Sequence, residues 1–288
     1  MSGEGLRLLV VDGNTRPYTA EKIAHGGSAA GEQYALVLAS LGHEVACRII
    51  HPADDDYRGL PENEAPGDFD GAVWTGSGLS LCAPSEAVTR QVELARALFA
   101  SGVPVFGSCW GLQVAAVALG GSVRRNPRGR EIGIARRIAC TASGMAHPMY
   151  ARKPKVFDAI AVHLDEVESL PPGGRALAQN RISAIQAAEI TCEARRISFW
   201  GVQYHPEYDF LEIASSLRRA GSAMVADRQA RSLDELERYA GELVAMQDEP
   251  GRTDLAWRHG VDETVLDVAL RRAEIRAWLD FIAARPQA

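Results

Sequence analysis

The chain has no pair of cysteines at the spacing of a metal site or a disulfide framework. Its five cysteines, Cys47, Cys82, Cys109, Cys140 and Cys192, are scattered, odd in number and include no Cys-x-x-Cys. That pattern belongs to thiols kept reduced, and a cytoplasmic location is expected. Strong positive charge is missing too: 31 Lys and Arg stand against 37 Asp and Glu, a formal net charge of −6, so nothing draws the chain electrostatically to nucleic acid. No apolar run nears the length of a membrane span, and residues 1–6 carry no basic segment backed by an apolar core, so neither membrane nor targeting segment is expected. There is no Walker A sequence, no Gly-x-Gly-x-x-Gly after the first apolar run, and no adenylating or synthetase domain. No cofactor and no metal are therefore expected.

What the chain does have is core-forming material: 47% of its 288 residues are apolar, enough for one large domain with an extension or two small ones. Short apolar runs at residues 6–11, 45–50, 71–74, 103–106, 159–162, 184–189 and 199–204 read as strands, the first of them as a central strand buried on both faces. Helical patterns at residues 33–41, 84–100 and 112–119 alternate with the first of these. Residues 15–31, with Pro17, Gly26 and Gly27 and few periodic apolars, read as a surface loop. Strands alternating with helices predict an α/β fold: a doubly wound, mostly parallel sheet with helices on both faces and its site at the carboxyl edge of the strands.

Two stretches carry the chemistry. The run 103–106 stops at Gly107-Ser108-Cys109-Trp110-Gly111 and enters a helix, the form of a nucleophile elbow with Cys in place of Ser. Glycines on either side of Cys109 suit a strained turn crowded by strand and helix. The helix N-terminus behind the sulfur favours a thiolate. The second stretch is the strand 199–204 running into His205-Pro206-Glu207. Pro206 stiffens that turn, so Glu207 can hold the His205 imidazole while His205 takes and returns a proton.

GSCWGLQ together with GVQYHPE resembles the class I glutamine amidotransferases, most closely their GMP-synthase-like branch, over about residues 6–210. The resemblance implies a flavodoxin-like amidotransferase fold in residues 1–210; residues 211–288, where the pattern changes character, read as a helical extension. It implies catalytic Cys109, His205 and Glu207. It also implies an oxyanion hole from Gly76, Ser77 and Gly78 with the N–H of Trp110, although the family's usual Gly-Gly-Pro is here Gly-Ser-Gly. Substrate-binding positions carried over are Gln113, Glu131, Ile132, Gly133 and His163, with Arg128 or Arg130 facing a carboxylate. Val162 and Leu164 depart from the Ser-His-Gly-Asp pattern of the synthases, and His163 reads better as a rim histidine than as a second base.

The expected activity is cysteine-dependent hydrolysis of a γ-glutamyl amide, glutamine to glutamate plus ammonia, by a stand-alone protein. A γ-glutamyl peptide hydrolase needing no synthetase, and a non-catalytic regulatory module on the same fold, stay open. So do a synthetase partner chain and a homo-oligomer; the substrate is glutamine or another γ-glutamyl compound. In the extension, Ser232 and Glu235 read as a capping box before the stripe Leu233, Leu236, Ala240, Leu243 and Val244. After Pro250-Gly251, a last helix over residues 264–284 carries Val268, Ile275, Leu279 and Ile282. These stripes must bury themselves against the main domain or a second subunit.

Overall fold

Both faces of the first apolar run are covered, and Leu8, Leu9, Val10 and Val11 are fully buried. They belong to β1 (Leu6–Val11) of the computed structural model, which describes residues 5–285. Residues 1–4, most of the start read as free of a targeting segment, and residues 286–288, the end of the extension, lie outside it. After β1 come α1 (Arg16–Ala24), α2 (Ala30–Ala39), β2 (Val45–Ile50), β3 (Gly71–Trp74), α3 (Glu86–Ser101), β4 (Val105–Ser108) and α4 (Trp110–Ala118). There follow β5 (Ser122–Arg125), β6 (Glu131–Cys140), α5 (Ala142–Met145), β7 (Val156–His163), β8 (Asp165–Ser169), β9 (Gly174–Gln179), β10 (Ala187–Cys192) and β11 (Ile197–Val202). The chain closes with α6 (Phe210–Ala226), α7 (Leu233–Asp248), α8 (Thr253–His259), α9 (Glu263–Leu266), α10 (Val268–Arg271) and α11 (Ala273–Ala283).

The main sheet has nine strands in the order β2-β1-β3-β4-β11-β10-β9-β6-β7. From β2 to β11 all pairings are parallel, and from β11 to β7 all are antiparallel. The α/β class expected from the alternating runs therefore holds, with its parallel part built from the short apolar runs that read as strands. One face of the sheet packs against α2 and α11, through Tyr34, Leu38, Trp278 and Leu279. The other packs against α3 and α4, through Leu98, Phe99, Leu112 and Ala115. Among the described residues, no helix is long and apolar enough to cross a membrane.

The C-terminal helices divide between two places. Helices α6, α7 and α8 form a cluster over Ile160, with Ile132 and Ile134 packed against it. Helix α11 instead returns to the sheet, where Trp278 is 1% exposed and its ring lies 6.0 Å from that of Phe106. A Cβ on Gly71 would stand 2.8 Å from the Trp278 ring, so β3 has been kept bare to admit it. Through α11 the expected extension shares its core with the sheet.

Three local readings change. Residues 15–31 hold α1 and the start of α2. Helix α1 opens on Pro17 in its first turn, where a missing N–H costs nothing. Its buried member is a charge, Lys22, paired at 2.7 Å with Glu212 of α6 and lying over the Tyr208 ring, so no apolar period marks the helix. The expected helix 264–284 is three pieces, because Asp267 accepts hydrogen bonds from the N–H groups of Ala269 and Leu270 and starts a new turn. Val268 and Leu233, assigned to apolar stripes, are exposed.

Candidate active site

Parallel pairing of β4 with β11 sets Ser108 level with Val202, so the residues that follow the two strands emerge side by side. The Cys109 N–H donates to Val202 O at 2.7 Å, and the His205 N–H donates to Ile160 O of β7 at 2.7 Å. Both turns are thereby pinned to neighbouring strand ends. Cys109 has φ +50° and ψ −97°, outside the comfortable regions for a side chain with a Cβ, as a nucleophile elbow requires. The flanking glycines are sterically compelled: a Cβ on Gly107 would lie 2.6 Å from the Gly111 backbone, and one on Gly111 would lie 2.8 Å from Trp74.

The Cys109 thiol donates to Val162 O at 3.5 Å and borders a cavity of about 520 Å³. Behind it, His205 Nδ1 donates to Glu207 Oε1 at 2.7 Å. Both side chains are almost completely buried. Burial, the largest influence on His205, pulls its pKa down; the Glu207 charge and the hydrogen bonds with Cys109 and Glu207 outweigh it. The net result is a pKa raised from 6.5 to about 10. The second Glu207 oxygen accepts from Ser108 Oγ at 2.9 Å, and Ser108 Oγ accepts from the Tyr34 hydroxyl at 2.9 Å. Burial pushes the Tyr34 phenol well above its ordinary pKa, so it remains a donor. Tyr208 stacks on the His205 ring at 4.0 Å. Next to His205 in the chain, the Tyr204 hydroxyl donates to Glu274 of α11 at 2.6 Å, which fastens the extension to this strand end.

The turn after β3 lies against the same imidazole: a Cβ on Gly76 would be 2.5 Å from His205 Cε1. Asn14 braces this turn from the end of β1, donating through Nδ2 to Gly76 O and accepting from the Gly78 N–H, both at 3.1 Å. Asp12 in turn accepts from the Asn14 N–H and from Gly31 N of α2, both at 2.9 Å. The Gly78 N–H is therefore engaged. Ser77 Oγ donates to Gly13 O at 2.7 Å, while its N–H has no acceptor among the described residues. Trp110 is the first residue of α4, where backbone N–H groups have no partner within the helix. Its indole donates to Gln91 Oε1 at 2.8 Å.

Of the substrate-binding positions, Gln113, Ile132 and His163 line the cavity, together with Ser77, Gly78 and Arg130. Gln113 Nε2 donates to Asp165 O at 3.0 Å and to Gln203 Oε1 at 3.2 Å. Glu131 and Gly133 are not part of the lining. The Glu131 carboxylate faces inward, meeting His163 Nε2 at 2.9 Å, Asn180 Nδ2 at 2.7 Å and Gln186 Nε2 at 2.6 Å. His163 also meets Asp165 O at 3.0 Å through Nδ1, so both ring nitrogens are engaged and the ring is a fixed part of the wall. Gly133 has φ +107° and looks toward Tyr239. Arg130 pairs with Asp227 at 3.6 Å, and Arg128 turns to Ile182 O. Asp12, Asn14, Tyr34 and Ser108 did not stand out in the sequence. The signal that could have found the first two is an Asp-Gly-Asn ending a central strand at the edge where the site lies.

Comparison with known proteins bears on this site. The model of the class-I glutamine amidotransferase family matches residues 74–219, which contain Cys109, His205 and Glu207. A γ-glutamyl-L-1-hydroxyisopropylamide hydrolase of Pseudomonas sp is 35% identical, over 97% of this chain and 94% of that one. A glutamine-hydrolysing GMP synthase of Thermomicrobium roseum is 31% identical over 66% of this chain, which spans only 32% of the synthase. Among solved structures, a glutamine amidotransferase from Thermotoga maritima superposes with TM-score 0.63 at 14% identity, covering 98% of this chain and all of that one. One from Methylobacillus flagellatus gives TM-score 0.62 at 19% identity, covering 96% and 95%. These two likenesses concern the fold. With half of its length matched by the family model and a relative aligned nearly end to end, the chain belongs to the class-I glutamine amidotransferase family.

Proposed function

We propose that the protein hydrolyses γ-glutamyl amides by way of a γ-glutamyl thioester on Cys109. The observation that carries this reading is Cys109 at the cavity's edge in an elbow whose strand pairs with the one leading to His205, together with the 2.7 Å His205–Glu207 contact. His205, kept protonated by its pKa of about 10, holds the proton given up by Cys109, and the sulfur attacks the γ-carbonyl carbon of the amide. The N–H groups of Ser77 and Trp110 receive the oxyanion that forms, Gly78 being occupied by Asn14. His205 then gives its proton to the leaving nitrogen, the C–N bond breaks, and ammonia or an amine departs. Water enters, loses a proton to His205 and attacks the thioester carbonyl. The C–S bond breaks, releasing glutamate and restoring the thiol. Gln113 and His163 form the wall against which the glutamyl group is held.

The near end-to-end match to a γ-glutamyl amide hydrolase supports action as a stand-alone hydrolase over service as one subunit of a synthetase. Residues up to 210 supply the chemistry in this account, and the extension shapes the cavity. The test is glutamate release by the purified protein alone, from glutamine and from a panel of γ-glutamyl amides. Release is expected; no release from any of them would count against the proposal.

A further inference from the structure

The far wall of the cavity comes from two helices outside the strand-end turns. Tyr18 of α1 packs directly on Gly78, where a Cβ would run into its ring. The guanidinium of Arg219 lies 4.3 Å above the Tyr18 ring, and its Nη2 donates to the Tyr18 hydroxyl at 2.7 Å. Ser216 stands three residues before Arg219 and four before Ala220 on α6, and all three border the cavity. Two polar groups on this wall have no hydrogen-bond partner among the described residues: Arg219 Nε and the Ser216 hydroxyl, in a residue only 1% exposed. Glu21 also borders the cavity, yet no ion pair joins it to Arg219. A guanidinium without a counter-charge and a buried hydroxyl without a partner, on one helix face, match a carboxylate in charge and in hydrogen-bonding need.

Which end of the substrate meets this wall follows from the direction of proton transfer. His205 delivers its proton to the leaving nitrogen, so the amine part of the substrate lies on the imidazole side of Cys109. That side is continued by Tyr208, stacked on His205, and by α6, which begins at Phe210. Gln113, His163 and Asp165 stand together as the other wall. Taking the γ-glutamyl hydrolase reading as its basis, we infer that Arg219 and Ser216 bind a carboxylate on the leaving amine. The preferred substrates are then γ-glutamyl derivatives of amino acids, and α6 is the element that selects them.

The rival source of a carboxylate is the glutamyl group's own α-carboxylate, and substrates differing in one substituent separate the two. γ-Glutamylalanine, γ-glutamyl-1-hydroxyisopropylamide and γ-glutamylisopropylamide share a branched carbon that bears a carboxylate, a hydroxymethyl or a methyl group. We expect kcat/KM to fall in that order, by at least about tenfold from first to last. In Arg219→Gln the ratio of the first to the last should collapse toward one, and in Ser216→Ala it should shrink by less. Equal values for the three substrates in the unaltered protein would overturn the inference. So would a parallel loss on all three and on glutamine in Arg219→Gln, which would put Arg219 on the α-carboxylate. Binding to Cys109→Ala, measured calorimetrically, should show the same preference for γ-glutamylalanine over the isopropylamide. If no substrate were turned over, the hydrolase reading would fail, while this binding ratio would still decide whether the subsite exists; equal affinities would end it.

Discussion

Gly76 and His205 are in contact through the absence of a side chain: a Cβ on Gly76 would come within 2.5 Å of His205 Cε1. The imidazole is held by Glu207 on one side and by stacked Tyr208 on another, so it has little room to yield. Gly76→Ala should therefore displace the ring or the turn after β3. Turnover is expected to fall by roughly 10²-fold, the scale of a misplacement of about an ångström, with folding retained by circular dichroism. Activity within threefold of the original would show that the contact is soft.

His205→Ala removes the proton carrier and should cost roughly 10²- to 10⁴-fold in kcat. Glu207→Gln should cost less, since the imidazole remains. Ser108→Ala should cost about tenfold, because it takes away one hydrogen bond to the Glu207 carboxylate. Steady-state kinetics on one γ-glutamyl amide check this ranking. Equal losses in the first two would mean that Glu207 also anchors the turn.

His205 has a folded pKa of about 10 against 6.5 for the free side chain, so between these values the folded protein binds more protons than the unfolded chain. Its contribution to stability is fully present below about pH 6.5 and is lost as pH rises toward 10. Thermal melting temperatures between pH 6 and 10 should therefore fall more steeply in the unaltered protein than in Glu207→Gln, where the charge that raises this pKa is gone. Parallel curves would contradict the ion pair.

Trp278 fills the space left by Gly71 and meets Phe106, the residue before the elbow glycine. Trp278→Ala should cost about 3–5 kcal/mol in denaturant unfolding, the range for a buried aromatic. Removal of residues 273–285 should leave the sheet face open and the protein insoluble. A stable, soluble truncation would show that α11 is dispensable.

The parts that were legible in the sequence are those with a strict steric or periodic cause. Gly107 and Gly111 could be read because a bulky residue fails at either position, and the strands of the parallel half because apolar residues dominate each short run. Helix α1 was hidden because its buried side chain is Lys22, whose partner Glu212 lies 190 positions along the chain, in α6. The inward turn of Glu131 was hidden for the same kind of reason: its partners, His163, Asn180 and Gln186, come from other strands and turns. Polar networks of this sort leave no period in the sequence, so Arg219 and Ser216 could not be placed at the cavity before the fold was known.

The central claim is that a γ-glutamyl group passes through a covalent bond to Cys109. It is tested most directly by mixing the protein with a γ-glutamyl amide, quenching in acid at short times and weighing the intact protein, with the adduct then located by peptide mapping. A single added γ-glutamyl group on Cys109, formed and lost on the timescale of turnover and absent in Cys109→Ala, is the predicted result. Glutamate release by Cys109→Ala above the uncatalysed rate, or an adduct on another residue, would contradict the account.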